Sequence, residues 1–304
     1  MTRRHAPAPG FSAAWLQQRE PFDAIARDSA AARLALPGRL TAWRGPADAP
    51  LRVIDLGCGT GANLRWLAPT LGGAQQWLVV DHDAALLRRW PACLPACVGG
   101  HGDHGNSGGM LHFSGPSHHA DIVRRRLDLA RSLEGLPWHA TQLVTASALL
   151  DLVSAAWLQR LLAATAQAGA ALLMALSVDG RHRWTPGDAD DAAVTALFGA
   201  HQQRDKGFGG PALGPAAVPA LMLALRRAGY RVHSARSDWR LDGRRDAQAL
   251  ALQRALVDGI AAAAVEQAPP SAALVRGWQQ RRQALAPRSV LVVGHRDVLA
   301  LPPV

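Results

Sequence analysis

Short apolar runs alternate along the chain with stretches whose apolar residues recur at helical spacing. Leu51 to Leu56 is the kind of run that forms a buried parallel strand, and a glycine turn and a helix to about Pro69 follow it. Gln76 to Asp81 predicts a second strand and Ala84 to about Trp90 a second helix. Asp121 to Leu127, Gln142 to Ala146 and Ala170 to Val178 predict three more strands, the last two separated by a helix over Ala155 to Ala168. A helix over Ala216 to Ala228, a strand over Tyr230 to Ser237, two Ala-rich helices (about Arg244 to Gln267 and Ser271 to Leu285) and a strand over Val290 to Gly294 complete the pattern. Upstream, residues 11 to 36 read as helical, with Trp15, Ile25 and Leu34 on apolar faces and Pro21 placed to allow a break. Strands that alternate with helices predict an α/β protein built on a doubly wound, Rossmann-like sheet.

Two stretches break the alternation. Residues 98 to 120 hold seven glycines and five of the twelve histidines and read as a flexible loop, and residues 179 to 215 read as a polar loop. The expected organisation is an N-terminal helical cap and linker over residues 1–50, then one domain over 51–304 that carries the 98–120 loop and a helical insertion at 243–286. No internal repeat is present.

Composition changes this picture little. A 49% hydrophobic and 18% charged chain has enough apolar material for a packed core, so disorder is excluded. No apolar run is long enough to span a membrane, and three cysteines give no disulfide framework, so a cytoplasmic setting is expected. The formal charge of +10 would ordinarily point to nucleic acid. Yet the basic residues are 32 Arg, scattered along the chain, and a single Lys, Lys206, while stacking platforms are scarce with one Tyr and five Phe. This is compositional drift rather than a binding patch, and it argues against a nucleic-acid partner.

The informative stretch is Val53-Ile54-Asp55-Leu56-Gly57-Cys58-Gly59-Thr60-Gly61. Glycines between a strand and a helix allow a sharp turn and let a ligand approach the backbone. Gly57, Gly59 and Ala62 formally satisfy the dinucleotide pattern, with Asp81 at the distance expected of a ribose clamp. The charge of Asp55 discriminates: an acid two residues before the first glycine repels a pyrophosphate and favours a ligand that presents an ammonium and a sulfonium. S-adenosylmethionine is such a ligand.

At this point the sequence resembles the class I S-adenosylmethionine-dependent methyltransferases, over about residues 51 to 178 through motifs and more loosely near Tyr230 and Val290. The resemblance implies a seven-stranded doubly wound sheet with an antiparallel last strand, and S-adenosyl-L-methionine as cofactor. It places Gly57, Cys58, Gly59 and Gly61 against the methionine part, Asp55 near its amino group, and Asn63 just beyond the turn. It gives Asp81 both ribose hydroxyls, His82 and Leu129 the adenine surroundings, Asp128 the adenine amino group, and Ser147 the segment beside the sulfonium. The segments Trp15 to Arg27, Asn63 to Pro69 and Arg204 to Phe208 are similar to those of a poorly characterised bacterial subgroup, which gives no substrate.

Methyl transfer needs alignment and, for a hydroxyl or protonated amine, a general base. His201 and Asp151 are the candidates, and Arg204 and Lys206 are candidate contacts to an anionic group of a small-molecule substrate. The segment Ser147-Ala148-Leu149-Leu150 lacks the prolines and aromatic of the base-methylating enzymes. The alternatives are methylation of RNA or protein, and a non-catalytic S-adenosylmethionine-binding protein. Nothing in the sequence fixes the oligomeric state. Cys93, Cys97, His112 and His118 match a loose zinc spacing, but Pro95 interrupts any compact knuckle, and no metal is expected. The only Tyr, Tyr230, stands 24 positions from the only Lys, which excludes short-chain dehydrogenase chemistry.

Overall fold

The computed structural model describes residues 11–45, 49–94 and 109–303. Helix α1 (Ala13–Leu34) starts at Ser12, whose hydroxyl accepts the Trp15 amide at 3.1 Å. It continues through Pro21, the position at which the sequence allowed a break. The backbone bond lost there is offset by tertiary packing, because Phe22, Asp23, Ala26, Arg27 and Ala30 are all buried. Ala35, in the left-handed region, turns the chain into α2 (Leu36–Arg44).

The alternation then runs β1 (Leu51–Leu56), α3 (Ala62–Leu71), β2 (Gly73–Asp81), α4 (Ala84–Arg88), α5 (Trp90–Cys93), β3 (Leu111–Gly115), β4 (His118–Arg126), α6 (Leu129–Ser132), β5 (Leu143–Ser147) and α7 (Ala155–Gln167). It continues with β6 (Ala171–Thr185), α8 (Asp191–Gln202), α9 (Ala217–Arg227), β7 (Arg231–Arg236), β8 (Trp239–Asp242), α10 (Ala247–Gln267), α11 (Ala272–Leu285) and β9 (Val290–Leu301). No described helix is long and apolar enough to cross a membrane.

The sheet order is β3-β4-β2-β1-β5-β6-β9-β7, with β8 pairing β9. Strands β4, β2, β1, β5 and β6 are parallel, and β9 is antiparallel to both β6 and β7. This is the doubly wound sheet with a reversed last strand that the sequence implied, enlarged from seven strands to nine by β3 and β8. Winding reverses between β1 and β5, so a ligand crevice is expected beyond their C-terminal ends.

Three expectations are corrected. The second half of the 98–120 loop is a hairpin, because Leu111, Ala120 and Ile122 alternate with polar residues and bury one face. The 179–215 segment carries the end of β6 and all of α8, whose only buried residue is Val194. Strand β6 extends to Thr185 rather than Val178, through two register shifts against β9.

Those long strands build a third core beyond the strand ends. Trp184, Val194, Leu252, Val257, Val275, Trp278 and Leu291 pack α8, α10 and α11 together as a roof on the extended ends of β6 and β9. At its centre the Arg282 side chain is fully buried, paired through both Nε and Nη2 with Asp191 and stacked 4.7 Å from the Trp184 ring centroid. Trp278 Nε1 donates to the same carboxylate at 2.8 Å. Removing one partner of such a pair strands the other, so Arg282→Ala is expected to cost about 3 kcal/mol in urea unfolding. Adding Asp191→Asn should recover part of that loss, and two losses that simply add would show that the pair is not coupled.

Candidate functional site at the glycine turn

Strand β1 delivers Asp55 to the interior, where it has no exposed surface. Asn63, in the first turn of α3, donates from Nδ2 to Asp55 Oδ1 at 2.7 Å and to Thr145 Oγ1 at 3.2 Å, joining the ends of β1 and β5. Burial pushes the Asp55 carboxyl up to about 7, against the opposing pull of Asn63 and of Arg27. Arg27 comes from α1, is 2% exposed, and lies 3.9 Å over the Trp66 ring. Burial lowers its pKa, while Asp297, Asp55 and Asp23 act the other way.

Gly57, Gly59 and Gly61 take φ values of +66°, +53° and +89°. Only glycine adopts this run without strain. A Cβ on Gly61 would meet the Trp90 ring at 3.0 Å, and one on Gly59 would meet Leu16 of α1 at 3.1 Å. Trp90 Nε1 donates to the Gly59 carbonyl at 2.8 Å, and the Cys58 amide to Val80 at 3.0 Å, so the turn is held on both sides. Burial drives the Cys58 thiol well above its ordinary value, which removes it as a nucleophile.

Asp81, at the end of β2, accepts the Gly59 amide on Oδ2 at 2.8 Å and the Asp83 amide on Oδ1 at 2.9 Å. Each oxygen keeps a further lone pair. His82 is exposed, with Nδ1 3.4 Å from Asp81 Oδ1. Asp128 caps α6 by accepting the Ala130 amide at 3.0 Å and is otherwise exposed, whereas Leu129 is buried.

A cavity of about 220 Å³ opens between α1 and α3, lined in part by Asp23, Arg27, Asn63, Trp66, Ser147 and Leu176. Among the described residues, Asp55 Oδ2, Asn63 Oδ1 and Arg27 Nε and Nη2 are buried without hydrogen-bond partners. Buried polar atoms are ordinarily satisfied, so these four mark a place for a polar ligand or water. Arg65 grips Glu20 with contacts of 2.6–2.8 Å, and Trp66 Nε1 donates to Asp28 at 2.8 Å, which holds α1 across the turn.

A second polar group lies beyond β5 and β6. Asp151 is buried, leaves Oδ1 without a partner among the described residues, and is pushed by burial up to about 6. Its charge is felt by Arg19, which donates from Nε to Asp23 at 2.8 Å and lies 5.4 Å over the Trp239 ring. Ser177 Oγ and His182 Nδ1 are buried and unpartnered among the described residues, and burial, then Arg19, push His295 down to about 3.

Of the residues expected at the site, Asp55 bonds to Asn63 and Asp81 to the Gly59 amide of the glycine turn, with Ser147 on the cavity wall. His201, Arg204 and Lys206 are engaged elsewhere. His201 Nε2 stands 3.3 Å from Glu266, Arg204 contacts Glu266 at 2.6 Å and Gln267 at 2.8 Å, and Lys206 donates to the His201 carbonyl at 3.2 Å. His201 and Arg204 fasten the end of α8 to the end of α10, and Lys206 closes the turn that follows α8. Sequence reasoning missed Arg19, Asp23 and Arg27. Their signal was charge at four-residue spacing along α1, on the stripe that should have been apolar. Of the zinc pattern, Cys97 lies outside the described residues, and His112 and His118 sit on opposite faces of the hairpin.

No family model and no curated protein matches the chain. Among solved structures it is similar over 90% of its length to a mycolic acid cyclopropane synthase complexed with SAH and CTAB, at 10% identity, 87% of that chain and a TM-score of 0.44. It is similar over 97% of its length to phosphoethanolamine N-methyltransferase 2 of Haemonchus contortus, bound to phosphomonomethylethanolamine and S-adenosylhomocysteine, at 13% identity, 59% of that chain and a TM-score of 0.42. A geranyl diphosphate C-methyltransferase from Streptomyces coelicolor with Mg2+, geranyl diphosphate and S-adenosyl-L-homocysteine matches over 99% of this chain and 89% of its own, at 14% identity and a TM-score of 0.42.

The raised pKa of Asp55 gives a test of the geometry. Between the ordinary aspartate value and about 7, the folded protein holds a proton that the unfolded chain has released. Stability therefore falls as pH rises through that window, and the full penalty is present above it. Asp55→Asn should stabilise the ligand-free protein at pH 8 by about 1–3 kcal/mol, with the gain fading towards pH 4. Urea melts across pH check this, and a gain independent of pH would contradict the burial of an ionisable group here.

Proposed function

We propose that the chain is a methyltransferase that uses S-adenosylmethionine and acts on a small molecule. The observation that carries this reading is an unsatisfied carboxylate oxygen on buried Asp55, within electrostatic reach of unsatisfied guanidinium nitrogens on Arg27, behind a cavity lined by Arg27 and by Asn63, the hydrogen-bond partner of Asp55. An amino-acid zwitterion presents the complementary ammonium and carboxylate, and a pyrophosphate would meet the wrong charge at Asp55.

When bound, S-adenosylmethionine supplies a methyl group already activated by its sulfonium. Asp55, fixed by Asn63, takes the ammonium, and Arg27 takes the carboxylate. Asp81 uses its remaining lone pairs for the ribose hydroxyls, while His82, Asp128 and Leu129 border the adenine and Ser147 the sulfonium. Leu16 and Leu149 cover the glycines and exclude water there. Asp151 is the general base: its free oxygen lies in a buried setting, and a value of about 6 leaves it ionised yet basic near neutral pH. Arg19 orients an anionic or polar group of the substrate. The roof of α8, α10 and α11 favours a small substrate over a duplex, and His201, Arg204 and Lys206 hold that roof rather than touch the reacting atoms.

Calorimetry with S-adenosylmethionine tests the cofactor half. Wild type should bind, Asp81→Ala and Arg27→Met should weaken binding at least thirty-fold with unchanged circular dichroism, and NAD should not bind. Unchanged affinity in both variants would refute the assignment. For the chemistry, Asp151→Asn should keep the cofactor affinity but lower transfer of labelled methyl into small molecules of a cell extract by about 10²–10⁴-fold. An active Asp151→Asn variant would remove Asp151 as the base.

A further inference from the structure

The hairpin β3–β4 forms the edge of the sheet remote from the roof, with β3 as the outermost strand. Its register sets His112 opposite Asp121 and Ser114 opposite His119. Alternation along each strand puts these four side chains on one face. Leu111, Ala120 and Ile122 occupy the other face and are buried, as is His118, which packs on Phe113 at 4.8 Å between ring centroids. The outward face therefore collects two imidazoles and a carboxylate on a rigid, core-anchored ladder.

Their donor atoms converge. His112 Nδ1 lies 2.7 Å and His119 Nε2 3.1 Å from the same oxygen, Asp121 Oδ1. One ligating atom from each of the three residues falls within 4.8 Å of the others. The two rings are stacked, 5.9 Å between centroids and 18° between planes. His119 Nδ1 is 2.7 Å from Ser114 Oγ. With its proton on Nδ1 and shared with Ser114, the His119 Nε2 lone pair faces a carboxylate, an arrangement that a cation resolves. Metal-bound histidines show this same pattern, the far ring nitrogen held by a hydrogen bond that fixes the tautomer.

We propose that His112, His119 and Asp121 form a binding site for a divalent transition-metal ion, with Ser114 positioning His119. Two imidazoles and one carboxylate suit Zn2+ and its neighbours rather than the oxygen-seeking Ca2+ or Mg2+. Three protein ligands leave a fourth position to water. The ion crosslinks β3 to β4 and so locks the strand that is outermost among the described residues. This inference stands independently of the methyl-transfer reading, because no residue is shared between the two sites.

The test is a zinc titration of the full chain by calorimetry, with Co2+ absorption as a second readout. Wild type should bind one Zn2+ at this site, Zn2+ should raise its melting temperature, and Co2+ should give the bands of a nitrogen- and oxygen-ligated ion. The double variant His112→Gln, His119→Gln should lose this Zn2+ and the thermal shift. Asp121→Asn should weaken binding at least ten-fold and Ser114→Ala several-fold. His118→Gln, on the opposite face, should leave Zn2+ affinity unchanged. Because the variants lie on the solvent face, their folding is checked by circular dichroism without metal. Absence of Zn2+ binding in wild type, or wild-type affinity in the double variant, would overturn the proposal.

Discussion

The site depends on one constraint: a carboxylate carried into the interior at the end of the first strand must be compensated there. Asp55 cannot reach water, so Asn63 and Arg27 come to it. That requirement recruits the first turn of α3 and the middle of α1, and α1 in turn is drawn across the glycine turn. The glycines permit the bend, but the buried acid determines which helix closes over it. Its compensation is incomplete, since unsatisfied atoms remain on Asp55, Asn63 and Arg27 among the described residues. Buried donors and acceptors left without protein partners are ordinarily completed by a ligand or by water.

The second consequence of the architecture is the roof. In a plain doubly wound sheet the crevice beyond β1 and β5 would open to solvent. Here β6 and β9 run past the edge of the parallel sheet, with irregular register where they leave it. β8, α8, α10 and α11 are built on that extension. The roof brings Arg19, Asp151, His182 and His295 into surroundings from which water is largely excluded. There, burial raises the proton affinity of Asp151 and lowers those of His182 and His295.

Legibility in the sequence followed how local each determinant is. Strands β1, β2, β5 and β6 were readable because buried parallel strands are near-continuous apolar runs, and the glycine turn was readable because its chemistry is set by neighbours in the chain. β3 was hidden because its alternating pattern lies in a glycine- and histidine-rich stretch that looks like a loop. α8 was hidden because it buries only Val194, so its apolar face carries little signal. Asp55, Asn63 and Asp81 were singled out from the motif, whereas Arg19 and Arg27, which α1 carries to the same region, were not. Their role exists only once α1 is laid across the turn, a contact that no local spacing encodes. His201 and Lys206 drew attention as rare residues in a glycine-rich segment, yet His201 pairs with Glu266 at the end of α10 and Lys206 bonds back to the His201 carbonyl.

The most direct measurement is a crystal structure of the protein grown with S-adenosylhomocysteine, with NAD offered in a parallel soak. The expected density has the amino-acid end of the sulfur compound between Asp55 and Arg27, its ribose at Asp81, and α1 still lying over the turn. Density for NAD along the glycines, or an empty cavity beside Asp55 with the sulfur compound bound elsewhere, would contradict the reading of that buried acid.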